Sequence, residues 1–408
     1  MKEVTFREVC EVFDLLERTS SRNDMTQILA DFYKKLNPLQ SQILSYLILG
    51  RVAPFFVDSE FNYSEKSFLS LLKDLLETKE IKENVDDKRK ELGDIGDTLE
   101  YFSNTLNFKS KDISLEQIYD ILWEVVNSKG TGSVESKNKI VVNTLERISP
   151  LEAKYFSRIV CGSLRFGVNA KTLLDVFSVM IQGDKGMREE LDRAYGAYAD
   201  IGYICSLLSN TKDIDKVKKN LKTVKVQPGI PLLSRLVERL TSFEEVFERL
   251  GQEILIQTKY DGLRCQIHKF KKQDLSKKEI IWLKYMKEES NGSLFETKDK
   301  DEYVVKLFTR NLEDVTDMFP EVVQGARDIE QESFILDSEV LGWDDKGKKF
   351  LPFQDTMQRR RKYDVKNIQG DIPVKAVVFD ILYINNQSLL EKDTQERVKI
   401  LEGFTVKG

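Results

Sequence analysis

The sequence predicts a multidomain protein, with an all-helical domain over residues 1–220 followed by an α+β domain over residues 221–408. Three observations support this division. Up to about residue 215 apolar residues recur at helical spacing, whereas from about residue 253 they form short alternating or continuous runs. The stretch "VQPGIPLL" between these parts, with two prolines and a glycine, is typical of a domain boundary. At 408 residues the chain is also too long for one ordinary hydrophobic core.

The composition excludes several classes of protein. Hydrophobic residues make up 41% and charged residues 32% of the chain, as in soluble globular proteins. No apolar run reaches about 18 residues and no signal peptide leads the chain, which predicts an intracellular protein without membrane contact. Four scattered cysteines and the single histidine, His268, argue against zinc sites, disulfide frameworks and histidine triads. With a net charge of −5, nucleic-acid binding requires a local basic surface.

Periodicity places the individual elements. In the first half, two apolar helix faces comprise Ile28, Leu29, Phe32, Tyr33 and Leu36, and Ile118, Ile121, Leu122, Val125 and Val126. Charged or glycine-bearing breaks are predicted at 86–97 and 128–133. In the second half, strands are predicted over 254–257, 263–268, 303–309, 333–341 and 376–384. The highly charged segment 271–302 is interpreted as a solvated loop or hairpin extension.

The stretch "ILIQTKYDGLRCQIHKF" places Lys259 between two apolar runs, just before Asp261 and the turn-forming Gly262. A lysine amine has a pKa of about 10.4, so it is a nucleophile near neutral pH only where burial or a nearby cation lowers that pKa. The end of a strand in a domain cleft would provide both the burial and the nearby cation. Taken alone, a lysine at a strand end is usually solvated. Whether Lys259 is a nucleophile therefore has to be judged from the motifs that follow it in the sequence.

Further polar residues follow at strand ends and on strand faces. "LFTRNLEDVTDMFPE" places Arg310 at a strand end, and in "FILDSEVLGWD" the residues Asp337 and Glu339 face away from the apolar side of a strand. Mg²⁺ sites are commonly built from one or two such carboxylates plus substrate phosphate. A basic run follows in "LPFQDTMQRRRKYDV", and the buried strand "AVVFDILYI" contains Phe379, by itself an ordinary core phenylalanine.

Together these motifs resemble the nucleotidyltransferase domain of ATP-dependent DNA ligases, most closely the archaeal and eukaryotic replicative type. The Lys-Tyr-Asp-Gly-x-Arg, Thr-Arg-Asn-Leu-Glu-Asp, Asp-x-Glu, Pro-Phe-Gln and Phe-Asp-x-Leu-Tyr elements occur in family order. "MTQILADFYKK", "GDIGD" and "KYFSRIVCGSLRFGV" are similar to the family's amino-terminal DNA-binding domain. The resemblance covers nearly the whole chain except 271–302. It implies an all-α DNA-binding domain and an α+β nucleotidyltransferase domain of the ATP-grasp-like ligase adenylation type.

The resemblance also implies a role for each matching residue. Lys259 would attack the α-phosphate of ATP, release pyrophosphate and become a covalent lysyl-AMP, with Mg²⁺ as the cofactor. Arg264 and Arg310 match arginines that hold the nucleotide and its phosphate. Glu339 matches the acid that contacts ribose and metal, and Phe379 the aromatic residue that stacks on adenine.

Gln257 departs from the family pattern, which usually has glutamate two residues before the lysine to accept a hydrogen bond from the adenine amino group. A glutamine carbonyl accepts the same bond, but its amide also donates to a guanine carbonyl. We therefore expect ATP use with weaker discrimination against GTP.

The partner implied is nicked double-stranded DNA, bound through phosphates irrespective of sequence and with strong salt dependence. In "CGSLRFGV", Gly162 and Gly167 permit close backbone approach to a phosphate and Arg165 supplies charge. "GDIGD" would serve similarly only if its aspartates cap a helix; otherwise both glycine segments are ordinary helix turns. The expected state is a monomer, and a sliding clamp is an open candidate as a second partner.

The carboxyl-terminal end departs from the family as well. "EGFTVKG" (402–408) imitates a later family strand but follows Asp380 too closely, so the chain is expected to lack that strand and the OB-fold domain after it. The leading prediction is an ATP-dependent DNA ligase that seals 5′-phosphate/3′-hydroxyl nicks through lysyl-AMP and DNA-adenylate in replication, repair and recombination. Two alternatives stay open: a nick-binding or regulatory fragment without full activity, and an RNA ligase or capping-type nucleotidyltransferase.

Overall fold

A computed structural model describes residues 3–108, 110–209, 213–271, 280–286, 303–357 and 372–404. Within these ranges the first part of the chain is helical, as predicted. Its helices are α1 Phe6–Glu17, α2 Arg22–Tyr33, α3 Pro38–Leu47, α4 Glu65–Thr78, α5 Val85–Leu92, α6 Ile95–Leu106, α7 Leu115–Asn127, α8 Ser133–Leu145, α9 Pro150–Val160, α10 Ala170–Gln182, α11 Arg188–Ala197, α12 Ile201–Leu208, α13 Ile214–Thr223 and α14 Phe243–Leu250.

Local sequence signals explain where many of these helices begin. Reciprocal capping boxes start α1, α3, α7 and α9, each pairing a Ser, Thr or Asn side chain with a Glu or Gln three residues later. Proline occupies the first turn of α3 and α9, where its missing N–H costs nothing. The apolar faces predicted on α2 and α7 are buried in one large core, which confirms the periodicity in this half.

One predicted break is confirmed and the other is wrong. Residues 128–132 separate α7 from α8 as expected. Residues 86–92 instead belong to α5, because Asn84 caps its start and the charged side chains lie on a solvated helix surface. The interruption is confined to Gly93, a left-handed C-cap with φ of 71°, and Asp94, the N-cap of α6.

The second part contains an antiparallel sheet. Its strands are β1 Leu263–Lys271, β2 Tyr303–Thr309, β3 Phe334–Asp344, β4 Lys349–Phe350, β5 Val374–Ile384 and β6 Gln387–Ser388, and its helices are α15 Pro320–Asp328, α16 Phe353–Met357 and α17 Thr394–Glu402. The strand order is β2-β1-β3-β5-β6, with β4 paired to β3. Four of the five predicted strands are therefore confirmed.

The two faces of this sheet pack against different parts of the protein. On one face, Cys265, Leu336 and Val340 pack into an apolar core with residues of α15 and α17, which confirms the predicted alternation. On the opposite face, one end of the sheet carries Arg264 and Glu339, which are cross-strand partners. Farther along the same face the sheet packs against the helical part of the chain.

The stretch predicted as a domain boundary, 226–233, is tied to the sheet. The side-chain amide of Gln266 both donates to and accepts from the backbone of Leu232, over 2.7 and 3.0 Å. The Gly229 N–H donates to Nδ1 of His268 over 3.0 Å. Burial lowers the pKa of His268 to about 3, so the ring is neutral and accepts this bond. The boundary itself, between residues 220 and 221, stays a prediction.

One expectation about the second half is wrong, and another holds only in part. Residues 254–257 are not a strand: Leu255 and Ile256 are 46% and 79% exposed, and no ladder hydrogen bonds join this segment to the described strands. Apolar character alone does not make a strand without a partner edge. The segment 271–302 connects the antiparallel strands β1 and β2, as the predicted hairpin extension requires, but its residues 280–286 are largely buried and not solvated. Residues 272–279 and 287–302 lie outside the described residues. None of the described helices has both the length and the apolar character needed to cross a bilayer.

Candidate functional site

The sheet brings several of the predicted nucleotide-binding residues together at one end. Arg264 on β1 lies directly opposite Glu339 on β3, so both side chains leave the same face. The guanidinium carbon of Arg264 lies 6.0 Å from the ring centroid of Phe379 on β5. Residues separated by more than a hundred positions in sequence therefore meet through strand pairing.

Lys259 lies beside this cluster on an irregular, exposed loop. Its Nζ donates a hydrogen bond of 3.5 Å to the carbonyl of Tyr260. The expectation that strand-end burial would enclose the amine is wrong, because the residues before it form no strand. Its charge nevertheless acts on Glu339, where it opposes the rise in the pKa of that carboxyl group.

Gly262 joins the lysine loop to β3. Its N–H donates a hydrogen bond of 2.9 Å to Oε1 of Glu339. A Cβ at position 262 would lie 2.5 Å from the carbonyl oxygen of Val340, closer than carbon and oxygen atoms approach. Glycine is therefore needed here for close packing of the loop on the strand rather than for a turn alone.

Asp337 is a buried member of this site whose role the sequence reasoning missed. Its carboxylate accepts two hydrogen bonds from Arg264, of which the Nε bond is 3.0 Å long. Burial raises the pKa of Asp337, and the guanidinium of Arg264 opposes that rise. Burial also raises the pKa of Glu339, opposed by the Gly262 N–H and by nearby cations. The alternation of the strand placed Asp337 on this face, but spacing alone does not reveal its partner.

A β-bulge determines where Phe379 points. Asp337 pairs with Asp380 and Ser338 with Val378, so Phe379 is the extra residue without a direct partner on β3. Gln257 reaches the same place, since its Nε2 donates a hydrogen bond of 3.0 Å to the carbonyl of Phe379. The residue expected to read the base and the residue expected to stack on it are therefore neighbours.

Arg310 follows the last residue of β2, where Thr309 pairs with Cys265. This register places Arg310 at the same end of the sheet as Arg264, with an exposed side chain. The arginine-rich run 358–362 lies outside the described residues. Within the part of the chain that the structure describes, no three His, Cys, Asp or Glu side chains are grouped to hold a metal ion by themselves.

The residues predicted to contact DNA line one cleft in the helical part. Gly162, Arg165 and Gly167 border a cleft of about 600 Å³ together with Gly50 and the amino-terminal residues of α10. Gly162 and Gly167 have φ of 63° and 66°, which only glycine adopts readily. Apolar side chains such as Phe55 and Phe166 line much of this cleft. The groups in it that are suited to phosphate are the exposed Arg165 and the backbone amides at the start of α10.

A buried ionic network supports this cleft. Arg158 donates a hydrogen bond of 2.9 Å to Asp94, the N-cap of α6, and another of 2.8 Å to Glu17. Hydrogen bonds from Arg158 and Tyr155, with nearby positive charge, outweigh burial and lower the pKa of Glu17 to about 2. Asp94 is also 3.3 Å from Nε of Arg165. Of the two aspartates in "GDIGD", Asp94 therefore caps α6 and is buried, as the prediction required, whereas Asp97 lies in the first turn of α6 and pairs with Lys154 and Arg158.

Comparison with known proteins identifies two family matches. The model for "DNA ligase N terminus" matches residues 5–178. The model for "ATP dependent DNA ligase domain" matches residues 292–408. These matches confirm the resemblance inferred from the motifs and the order of a helical part followed by a nucleotidyltransferase part.

Curated relatives align over almost the entire chain. A "Probable DNA ligase" of Dictyoglomus turgidum is 32% identical over 385 residues, which are 94% of this chain and 59% of that protein. "DNA ligase 2" of Thermofilum pendens is 31% identical over 418 residues, covering 100% of this chain and 63% of the relative. "DNA ligase 2" of Korarchaeum cryptofilum is 31% identical over 403 residues, covering 98% of this chain and 62% of the relative. The chain thus spans about three fifths of the length of these relatives.

Proposed function

Since the chain belongs to the ATP-dependent DNA ligase family, we propose that it is an enzyme that joins 5′-phosphate and 3′-hydroxyl ends at nicks in duplex DNA. The observation that carries this proposal is the convergence of Arg264, Glu339 and Phe379 on one sheet face beside the loop of Lys259. That arrangement combines a nucleophile, phosphate-binding cations, an acid and an aromatic ring.

In the first step, Lys259 Nζ loses a proton to solvent and attacks the α-phosphorus of ATP. A nitrogen–phosphorus bond forms, the bond from the α-phosphorus to the bridging oxygen breaks, and pyrophosphate leaves. The adenylyl group then passes to the 5′-phosphate of the nick, which frees the lysine. Finally, the 3′-hydroxyl attacks that 5′-phosphorus and AMP leaves. Each step displaces a leaving group on phosphorus, where positioning and charge neutralisation provide most of the rate enhancement.

The neighbouring residues position and neutralise the nucleotide. Arg264, held by Asp337, presents a fixed guanidinium to the phosphate, and Arg310 adds a second cation at the same sheet end. Phe379 offers its ring to the adenine, in reach of the Gln257 amide. Lys259 is exposed, so closure around the nucleotide is needed before its amine is desolvated.

The acidic residues fit a magnesium ion held mainly by phosphate. Glu339 supplies one half-buried carboxylate, and Mg²⁺ typically uses one or two carboxylates together with substrate phosphates and water. When bound, Mg²⁺ would neutralise charge that develops on the phosphate oxygens.

The helical part would hold the nick. The cleft bordered by Gly162, Arg165 and Gly167 offers backbone amides and a guanidinium that Asp94 orients. Such contacts go to phosphates and carry no sequence information. We infer that this cleft binds duplex DNA on either side of the nick, whichever bases surround it.

The test is transfer of labelled AMP from ATP to the protein, followed by sealing of a nicked duplex. With Mg²⁺ and α-labelled ATP, the full chain should gain one adenylyl group, visible by intact mass and on a denaturing gel. Lys259→Arg retains the charge but removes the nucleophile, so it should show no label. Lys346→Ala, which alters an exposed lysine in the β3–β4 turn, is the matched control and should label normally.

Three outcomes separate the candidate functions. Labelling followed by sealing of nicked DNA supports the ligase proposal. Transfer of the label only to RNA ends supports the RNA ligase alternative. Labelling of the protein without sealing of DNA supports the fragment alternative. Labelling that persists in Lys259→Arg contradicts the assigned nucleophile.

A further inference from the structure

An apolar stretch in the charged segment between β1 and β2 lies inside the helical part of the protein. The stretch is "IIWLKYM", residues 280–286, which we call the anchor. Trp282 is fully buried, and Ile280 and Ile281 are 2% and 5% exposed. All three belong to the same apolar core as the helices. A segment that was merely solvated would not place a tryptophan there.

Trp282 fills a site made by residues of the helical part of the chain. Its ring meets Phe56 edge to face, with centroids 5.8 Å apart and planes at 79°. Its indole Nε1 donates a hydrogen bond of 2.9 Å to Asp200. Asp200 is the N-cap of α12 and also accepts a 2.6 Å bond from the hydroxyl of Tyr46.

The buried carboxyl group of Asp200 makes this contact specific. Asp200 is completely buried, and burial raises the pKa of its carboxyl group, while hydrogen bonds from Tyr46 and Trp282 oppose that rise. A buried carboxylate that loses one donor is left partly unsatisfied. An aliphatic residue in place of Trp282 would therefore fill only part of the site.

Tyr285 makes a second set of contacts. Its ring stacks on Trp123 of α7, with centroids 5.4 Å apart and planes 6° from parallel. Its hydroxyl donates a 2.6 Å bond to Asp120, and its carbonyl accepts a 2.9 Å bond from Asn127. The anchor is thus bound through aromatic faces, side-chain polar groups and its own backbone.

The ends of the anchor's segment return to the sheet. β1 ends at Lys271 and β2 begins at Tyr303, and these two residues are cross-strand partners. Phe308 on β2 contacts Phe56 with centroids 6.1 Å apart, so Phe56 touches both the sheet and the anchor. The anchor therefore adds a second attachment between the sheet and the helices, separate from that of residues 226–233.

We propose that the anchor is an interdomain docking element that holds the DNA-contact cleft at a fixed orientation to the nucleotide site. This inference rests on the proposed function for its consequence, which is that nicked DNA meets both sites already aligned. Without the anchor the helical and sheet parts would sample several orientations. Only the aligned fraction would bind the nick productively, and apparent affinity falls in proportion to that fraction. Transfer of AMP to Lys259 requires only the sheet part and would be spared.

The test compares Trp282→Ala with Lys284→Ala in the full chain. Lys284 is the exposed residue of the anchor, so its substitution is the matched control. Spin labels carried by unnatural amino acids at the exposed positions 134 and 346 report the distance between the helical and sheet parts. Because this measurement needs neither ATP nor DNA, it tests the anchor even if the ligase proposal fails.

The expected results differ between the variants. Wild type and Lys284→Ala should give one narrow distance distribution, whereas Trp282→Ala should broaden it. Trp282→Ala should raise the KM for nicked DNA by about tenfold and change the rate of adenylylation by less than about twofold. Trp282→Phe keeps an aromatic ring and removes the N–H, so it serves as a second variant that is less disruptive to folding than Trp282→Ala. Its distance distribution and its KM for nicked DNA should lie between those of wild type and Trp282→Ala. A narrow distribution in both Trp282 variants, with unchanged KM, would overturn the proposal.

Discussion

Gly262→Ala probes the packing between the lysine loop and β3 with a single methyl group. The added Cβ would lie 2.5 Å from the Val340 carbonyl oxygen and 3.0 Å from Cγ of Glu339. The first contact is with backbone, so a side-chain rotation cannot relieve it. The loop must move away from the strand by several tenths of an ångström, which weakens the 2.9 Å bond between the Gly262 N–H and Glu339.

The size of the effect follows from this geometry. Overpacking of this kind costs about 1–3 kcal/mol of folding free energy. The displaced loop carries Lys259, and a shift of about 1 Å in a reacting group costs about a hundredfold in rate. We therefore expect a modest loss of stability and a decrease of roughly one to two orders of magnitude in the rate of adenylylation.

The assay is single-turnover labelling with ATP, together with urea denaturation. Gly325→Ala on α15 is the control, because nothing lies within 4 Å of its Cβ position. Both variants restrict the unfolded chain equally, and alanine in an open helical position should stabilise the fold by up to about 1 kcal/mol. If Gly262→Ala labels as fast as Gly325→Ala, the loop does not depend on its contact with β3 and the argument is wrong.

Three further predictions follow from individual contacts. Gln257→Glu should lower the GTP-dependent labelling of the protein relative to labelling with ATP, and a GTP signal in wild type no higher than in this variant would contradict weak discrimination. Glu17→Gln should destabilise the fold by up to about 2 kcal/mol at pH 6–7, allowing for partial exposure. Because the pKa of Glu17 is lowered to about 2, that difference from wild type should shrink as the pH falls from 5 to 2 in urea titrations, and a pH-independent difference would refute the assignment. Arg165→Ala should weaken binding of nicked duplexes of any sequence and reduce the salt slope by about 1, whereas an effect on one sequence only would exclude a phosphate contact.

The faces to which the side chains of β1 and β3 point could be predicted from the sequence, because side chains alternate along a strand with a period of two. Once Cys265 and Leu336 are assigned to a core, Arg264 and Glu339 must lie on the other face, and the structure confirms this. The pairing of Arg264 with Asp337 could not be predicted from the sequence, because it depends on the register between β1 and β3, which have 62 residues between them in the chain, including β2 and α15.

The position of Phe379 and the exposure of Lys259 could not be predicted from sequence periodicity. The bulge at Phe379 arises from a mismatch between β3 and β5 that neither strand reveals alone. The apolar run before Lys259 predicts a strand, but a strand also needs a neighbouring edge for its hydrogen bonds. Both outcomes depend on partners distant in sequence.

By itself, the sequence determined the helical and α+β halves, most of the strands, and the family, because periodicity and motif order are properties of neighbouring residues. Tertiary structure alone decided that a charged segment would place Trp282 beside Asp200 and that Asp94 would turn inward to orient Arg165. The physical reason is that burial, and the satisfaction of buried charge that it demands, are set by which distant residues meet.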